Sequence, residues 1–112
     1  MQFSVIRADE SITHIALAGR LDIQGLNAVQ DRFVFTTSSR HKPTLVDLSQ
    51  VTFLASLAMG MLVSTAKTLQ HRGVKMVIVQ APELVQKALE AAGIQKIIPM
   101  VATESEALRM LA

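Results

Sequence analysis

Residues 44–73 read TLVDLSQVTFLASLAMGMLVSTAKTLQHRG. Thr44–Gln50 follows Pro43 and has the apolar character of a buried strand. Val51-Thr52-Phe53 then leads into a second pattern. From Leu57 to about Arg72, Ala58, Met61, Leu62, Ala66 and Leu69 recur at helical spacing and form one apolar face. Lys67, Gln70 and His71 mark another face, and Gly73 is placed to stop the helix. A strand therefore passes almost directly into an amphipathic helix. Ser56 is the one polar residue of the run FLASLAMGMLV at 53–63, at the junction between the two.

Downstream, VKMVIV at 74–79 is rich in β-branched residues and reads as a strand. APELVQKALEAAG at 81–93 carries Pro82 at a helix start and Gly93 at its end. IQKIIPMV at 94–101 is a weaker strand, limited by Pro99. In TESEALRMLA at 103–112, Thr103 is followed three residues later by Glu106, the spacing of a capping box. Upstream, FSVIR at 3–7 and THIALAG at 13–19 flank Asp9-Glu10-Ser11 and predict a hairpin. Leu26, Val29 and Phe33 then predict a helix that starts shortly after Asp22 and ends near Thr36–Ser39. Strands alternate with helices after the hairpin, which favours parallel pairing with helical crossovers. The expectation is one α/β domain over 1–112, with a mixed sheet, an N-terminal hairpin and about four helices.

Composition narrows the function. The chain of 112 residues is 50% hydrophobic and 18% charged, with a net charge of +2, which argues against disorder. The eleven Lys and Arg are scattered, and Trp and Tyr are absent, so a basic, aromatic-interleaved nucleic-acid footprint is missing. No cysteine is present, which removes disulfides, thiolate metal sites and thiol nucleophiles. No apolar run is long enough to cross a bilayer, and no secretory signal is visible in MQFSVIRADE, so a cytoplasmic protein is expected. His14, His41 and His71 fall in different elements without metal-ligand spacing and read as surface residues. No Gly-rich fingerprint, phosphate-binding loop or nucleophile elbow stands in the sequence. The expectation is a non-catalytic chain with no cofactor and no metal.

The order of elements, together with Gly19-Arg20-Leu21-Asp22 after the second strand and Asp47-Leu48-Ser49 followed by Val51-Thr52-Phe53, resembles the STAS domain family. That family includes anti-sigma factor antagonists and the cytoplasmic tails of sulfate transporters. Its site motif is Asp, two hydroxyl residues and Gly at the start of the second main helix. Here Ala55-Ser56-Leu57-Ala58 stands in that place, and Gly60 matches a further small position. The resemblance implies a regulatory domain that binds an anti-sigma factor with serine kinase activity and is phosphorylated on Ser56. The altered motif keeps a second reading open: a constitutive accessory subunit of a transporter ATPase or a stress-signalling assembly, without phosphorylation. A homodimer is also left open.

From the residues alone, Ser56 has two roles open to it. As an N-cap, its hydroxyl would accept a bond from an orphan backbone N–H, a contribution of about 1 kcal/mol. As a phosphoacceptor, it would stand where the free N–H groups and dipole of a helix start tolerate a dianion. A partner lying over Leu57, Met59 and Gly60 would then meet that charge. Gly60, costly in a helix interior, reads first as a point of close helix–sheet packing and second as a point of partner approach. Met61 belongs to the core, and Met59 to an adaptable surface. Ser49 and Thr52 read as turn residues near Ser56. Asp22 reads as a helix cap, and the resemblance brings it close to the phosphosite. The expected partner surface is therefore Asp22, Thr52, Leu57, Met59 and Gly60.

Overall fold

The computed structural model describes residues 2–111; Met1 and Ala112, the two ends of the expected 1–112 domain, lie outside the described residues. Strands β1 (Gln2–Ala8) and β2 (Thr13–Leu21) pair antiparallel, with Val5 opposite Ile15. Asp9 fixes their turn. Its carboxylate accepts the backbone N–H of Ser11 at 2.8 Å and of Ile12 at 3.0 Å, and the Arg7 guanidinium at 2.6 Å. These bonds hold the Asp9 carboxyl well below its ordinary range, with Arg7 the largest cause.

Helix α1 (Ile23–Ser38) begins where Asp22 caps it, accepting the Gly25 N–H at 2.8 Å. Leu26, Val29 and Phe33 form its buried face, as their spacing predicts. Strand β3 (Thr44–Leu54), helix α2 (Ser56–His71), strand β4 (Met76–Val79), helix α3 (Glu83–Ala91), strand β5 (Met100–Val101) and helix α4 (Glu104–Leu111) follow. Thr103 opens α4 by accepting the Glu106 N–H at 3.2 Å.

The five strands form one mixed sheet in the order β1-β2-β3-β4-β5, parallel from β2 onward. A large core joins Ile15, Leu17, Val46, Leu48 and Ile78 of the sheet to Phe33 of α1, Leu62 and Leu69 of α2, and Leu89 of α3. A smaller one joins Leu45, Val77 and Val79 to Ala107 of α4. Alternate residues of β4 thus face opposite layers, which is why all four are apolar and buried.

Three local expectations are corrected. β2 holds residues 51–54 in the sheet, with Gly19 opposite Val51, Arg20 opposite Phe53 and Leu21 opposite Leu54. Ser49 and Thr52 are therefore strand residues rather than turn residues. The segment 94–101 is mostly not a strand. Gly93 turns the chain at φ 77° into a 3-10 turn at Ile94–Lys96, and only Met100 and Val101 pair with β4. His14 is not on the surface. It is 5% exposed, in register with Leu45, on the sheet face that α4 covers. Its Nδ1 lies 3.8 Å from the Glu104 carboxylate.

Candidate functional site

The C-terminal ends of β2 and β3 form a rim from which α1 and α2 depart. A single residue, Ala55, connects β3 to α2. Its N–H donates to the Leu21 carbonyl at 2.9 Å, and its own carbonyl accepts from Ala58 at 3.0 Å and Met59 at 3.1 Å. Ala55 has extended backbone (φ −77°, ψ 161°) and is the N-cap of α2, without a side-chain bond. Ser56 is consequently the first residue of the helix and not its cap. The β2–β3 pairing ends at Leu54, and the Ala55 carbonyl already takes the first helical bond from Met59, so the last extended residue before the helix is Ala55 rather than Ser56. The Ser56 side chain is exposed. Of the four N–H groups that open an α-helix, that of Ala55 reaches the Leu21 carbonyl and that of Ala58 the Ala55 carbonyl. Those of Ser56 and Leu57 are the ones the helix geometry leaves over. No acidic residue stands in the first turn.

Leu57 is 60% exposed beside Ser56, a large apolar side chain directed to solvent. Met59 is half-buried and packs against the large core, and Met61 lies within it. Gly60 is exposed, and a Cβ at this position would meet nothing within 4 Å. Close packing of the helix on the sheet is therefore not the reason for this glycine. Ala58 and Met61 make that approach instead, with the glycine on the far side. Ser56, Leu57 and Gly60 line an open groove of about 350 Å³, whose other wall is Gln30, Val34 and Ser38 of α1. Ser64 and Thr68 extend it along α2.

Asp22 stands on the same rim, next to Leu21. Its Oδ1 caps α1 through Gly25, and its Oδ2 lies 3.6 Å from Arg20 Nε. The bond from Gly25, helped by the Arg20 charge, lowers its pKa from the ordinary 3.8. Thr52 is brought elsewhere. It is exposed and lines a separate groove of about 460 Å³ between β3 and the start of α3, with Pro82, Leu84 and Val85. Leu84, 78% exposed at that groove, has no counterpart among the sequence expectations. Nor do Gln30, Val34 and Ser38, although their spacing of four residues places them on one stripe of α1. Among the described residues, no group of three or more acidic or His side chains could hold a metal ion, and no helix is long and apolar enough to cross a membrane.

A sheet of this topology, with helices α1 and α2 leaving a common rim and a small-residue turn opening α2, defines a class of domain that sequence comparison identifies directly. The STAS domain matches residues 4–107, and the chain belongs to the STAS family. Similar solved structures include an anti-sigma-factor antagonist (STAS) domain protein from Planctomyces limnophilus, at 20% identity and TM-score 0.85, with 98% of this chain and 97% of that one covered. An anti-sigma factor antagonist from Mycobacterium paratuberculosis aligns at 19% identity and TM-score 0.84, over 98% and 94% of the two chains. The Bacillus cell fate determinant SpoIIAA in its phosphorylated form aligns at 16% identity and TM-score 0.71, over 99% and 100%. At these identities the likeness establishes the fold. No curated protein matches the sequence.

Proposed function

We propose that this STAS domain is an anti-sigma factor antagonist, a non-catalytic cytoplasmic binding domain switched by phosphorylation of Ser56. The observation that carries the proposal is the exposure of Ser56 at the first position of α2, between the rim and the open surface of Leu57 and Gly60. The partner is an anti-sigma factor with serine kinase activity. Its surface covers Leu57, Met59 and Gly60, reaches Asp22 along the rim, and touches Thr52 where it extends towards the α3 groove.

The chemistry follows from the geometry. The Ser56 hydroxyl attacks the γ-phosphorus of ATP held by the kinase. ADP departs, and the hydroxyl proton passes to a base of the kinase. The product carries about −1.5 to −2 charge at neutral pH. Its own chain tolerates it, since the spare N–H groups of Ser56 and Leu57 and the positive helix end face the same solvent. The partner does not, since an apolar or acidic surface seated over Leu57 would have to desolvate a dianion. Binding is lost without a backbone movement.

The test is incubation with the cognate kinase and ATP, followed by phosphosite mapping. Phosphate on Ser56 with release of the partner is the expected result. Phosphate on Ser49 or Thr52 refutes the assignment. One observation favours a second reading: the first turn of α2 has Ala55 and Leu57 where the family motif has an acid and a second hydroxyl. No phosphate at all, with a stable complex, would make the chain a constitutive subunit of a transporter ATPase or stress-signalling assembly.

A further inference from the structure

Arg20 occupies the variable place of Gly19-Arg20-Leu21-Asp22 and stands on the same rim as Ser56. The connection is short. Arg20 precedes Leu21, Ser56 follows Ala55, and Leu21 and Ala55 are bonded to each other at 2.9 Å. Arg20 faces Phe53 across the β2–β3 pair, and its guanidinium carbon lies 4.5 Å from the centre of the Phe53 ring. Stacking of this kind holds a guanidinium plane while leaving its N–H donors free. The only carboxylate near it among the described residues is Asp22, at 3.6 Å, which is outside hydrogen-bond length. Asp22 is also committed elsewhere, with Oδ1 on the Gly25 N–H. The Arg20 side chain is 63% exposed. The result is a parked cation, oriented by an aromatic face, loosely paired, and with free donors.

We propose that Arg20 is the in-chain counter-ion of a phosphate on Ser56, pivoting from its loose pairing with Asp22 to take two phosphate oxygens on its guanidinium fork. The proposal rests on Ser56 as the phosphoacceptor. A phosphate offers three acceptor oxygens and nearly two charges, against one charge on a carboxylate whose other oxygen is tied to a helix cap. Ala55, standing where the family motif has an acid, leaves no carboxylate in the first turn of α2 to compete for the guanidinium. Arg20 thereby stabilises the phosphorylated state from within the chain and masks part of the new charge. The depth of the switch then depends on Arg20 as well as on the phosphate itself.

The test is a 31P NMR titration of protein carrying phosphoserine at position 56, introduced during translation so that no kinase is needed. Wild type is compared with Arg20→Gln, Arg20→Lys and Lys75→Gln. Lys75 is the distant control, since its carbonyl binds the Thr44 N–H at the opposite end of β3. At low salt the phosphoserine pKa, ordinarily about 6, should be lower in wild type than in Arg20→Gln by about half a unit, a threefold change in dissociation constant. Arg20→Lys should fall between them, and Lys75→Gln should match wild type. Equal values in wild type and Arg20→Gln, or an equal shift from Lys75→Gln, would overturn the proposal. Should Arg20→Gln fail to fold, Arg20→Lys decides: a value identical to wild type removes the fork contact. A kinase that never modifies Ser56 would overturn the acceptor assignment without moving any of these titrations.

Discussion

Replacement of Gly60 by Ala should make the protein more stable and its partner surface worse. Glycine in a helix interior is less favourable than alanine by about 0.8–1.0 kcal/mol, because more backbone freedom is lost on folding. Two things commonly cancel that gain, a steric clash or a left-handed backbone. Neither applies here. The new Cβ would meet nothing within 4 Å, and Gly60 is not among the positive-φ glycines, which are Gly19, Gly73 and Gly93. An unfolding entropy of about 2.1 cal/mol/K per residue corresponds to about 0.24 kcal/mol/K for a chain of 112 residues. A gain of about 1 kcal/mol then raises Tm by about 4 °C. Differential scanning calorimetry reads this directly. Gly73→Ala is the internal control, since at φ +79° it should lose about 1–2 kcal/mol instead. An unchanged or lowered Tm for Gly60→Ala would refute the account of this position as open helix surface. Gly60→Leu carries the functional half, since its side chain projects into the groove between α1 and α2. Unchanged affinity for the partner, measured by calorimetry, would remove Gly60 from the contact.

Leu57→Glu should leave the melting curve within about 0.5 kcal/mol of wild type, as exposed substitutions do, and weaken partner binding; unchanged affinity in isothermal titration would displace the proposed surface. Ser56→Ala should also cost no more than about 0.5 kcal/mol, less than a lost cap, because Ala55 holds the cap position; a loss above 1 kcal/mol in denaturant unfolding would contradict the placement. This variant should keep its partner and escape kinase inactivation, whereas Ser56→Asp should fold and bind more weakly. Asp22 predicts an acid-side effect. Its folded pKa lies below the ordinary 3.8, so its contribution is complete above that value and is lost as pH falls through the lowered one. Tm should therefore decline below about pH 4, less steeply in Asp22→Asn, which keeps a capping oxygen without the charge; identical slopes in the two proteins would refute the linkage.

Much of this molecule is written locally. The face Ala58, Met61, Leu62, Ala66 and Leu69 is buried as its spacing requires, since helical periodicity depends only on residues within two turns. Asp22 caps α1, and Thr103 with Glu106 opens α4, because a cap is a contact within a few residues of chain. The alternation of strands and helices, with a hairpin first, was sufficient for the mixed sheet, and that order together with Gly19-Arg20-Leu21-Asp22 and Asp47-Leu48-Ser49 was sufficient for the family. What only the tertiary structure decided depends on pairing across long separations. The β2 ladder ends at Leu54 with the Ala55 N–H on the Leu21 carbonyl, which leaves Ala55 as the extended residue that opens the helix in place of Ser56. Helix α4 folds back over the sheet and buries His14, whose sequence neighbours give no sign of a cover. Gly60 faces open space because Ala58 and Met61, not the glycine, meet the sheet, and a glycine's composition does not state which side it faces. Arg20 and Phe53 meet only because two strands lie in register, and register is a property of the assembled sheet rather than of either strand.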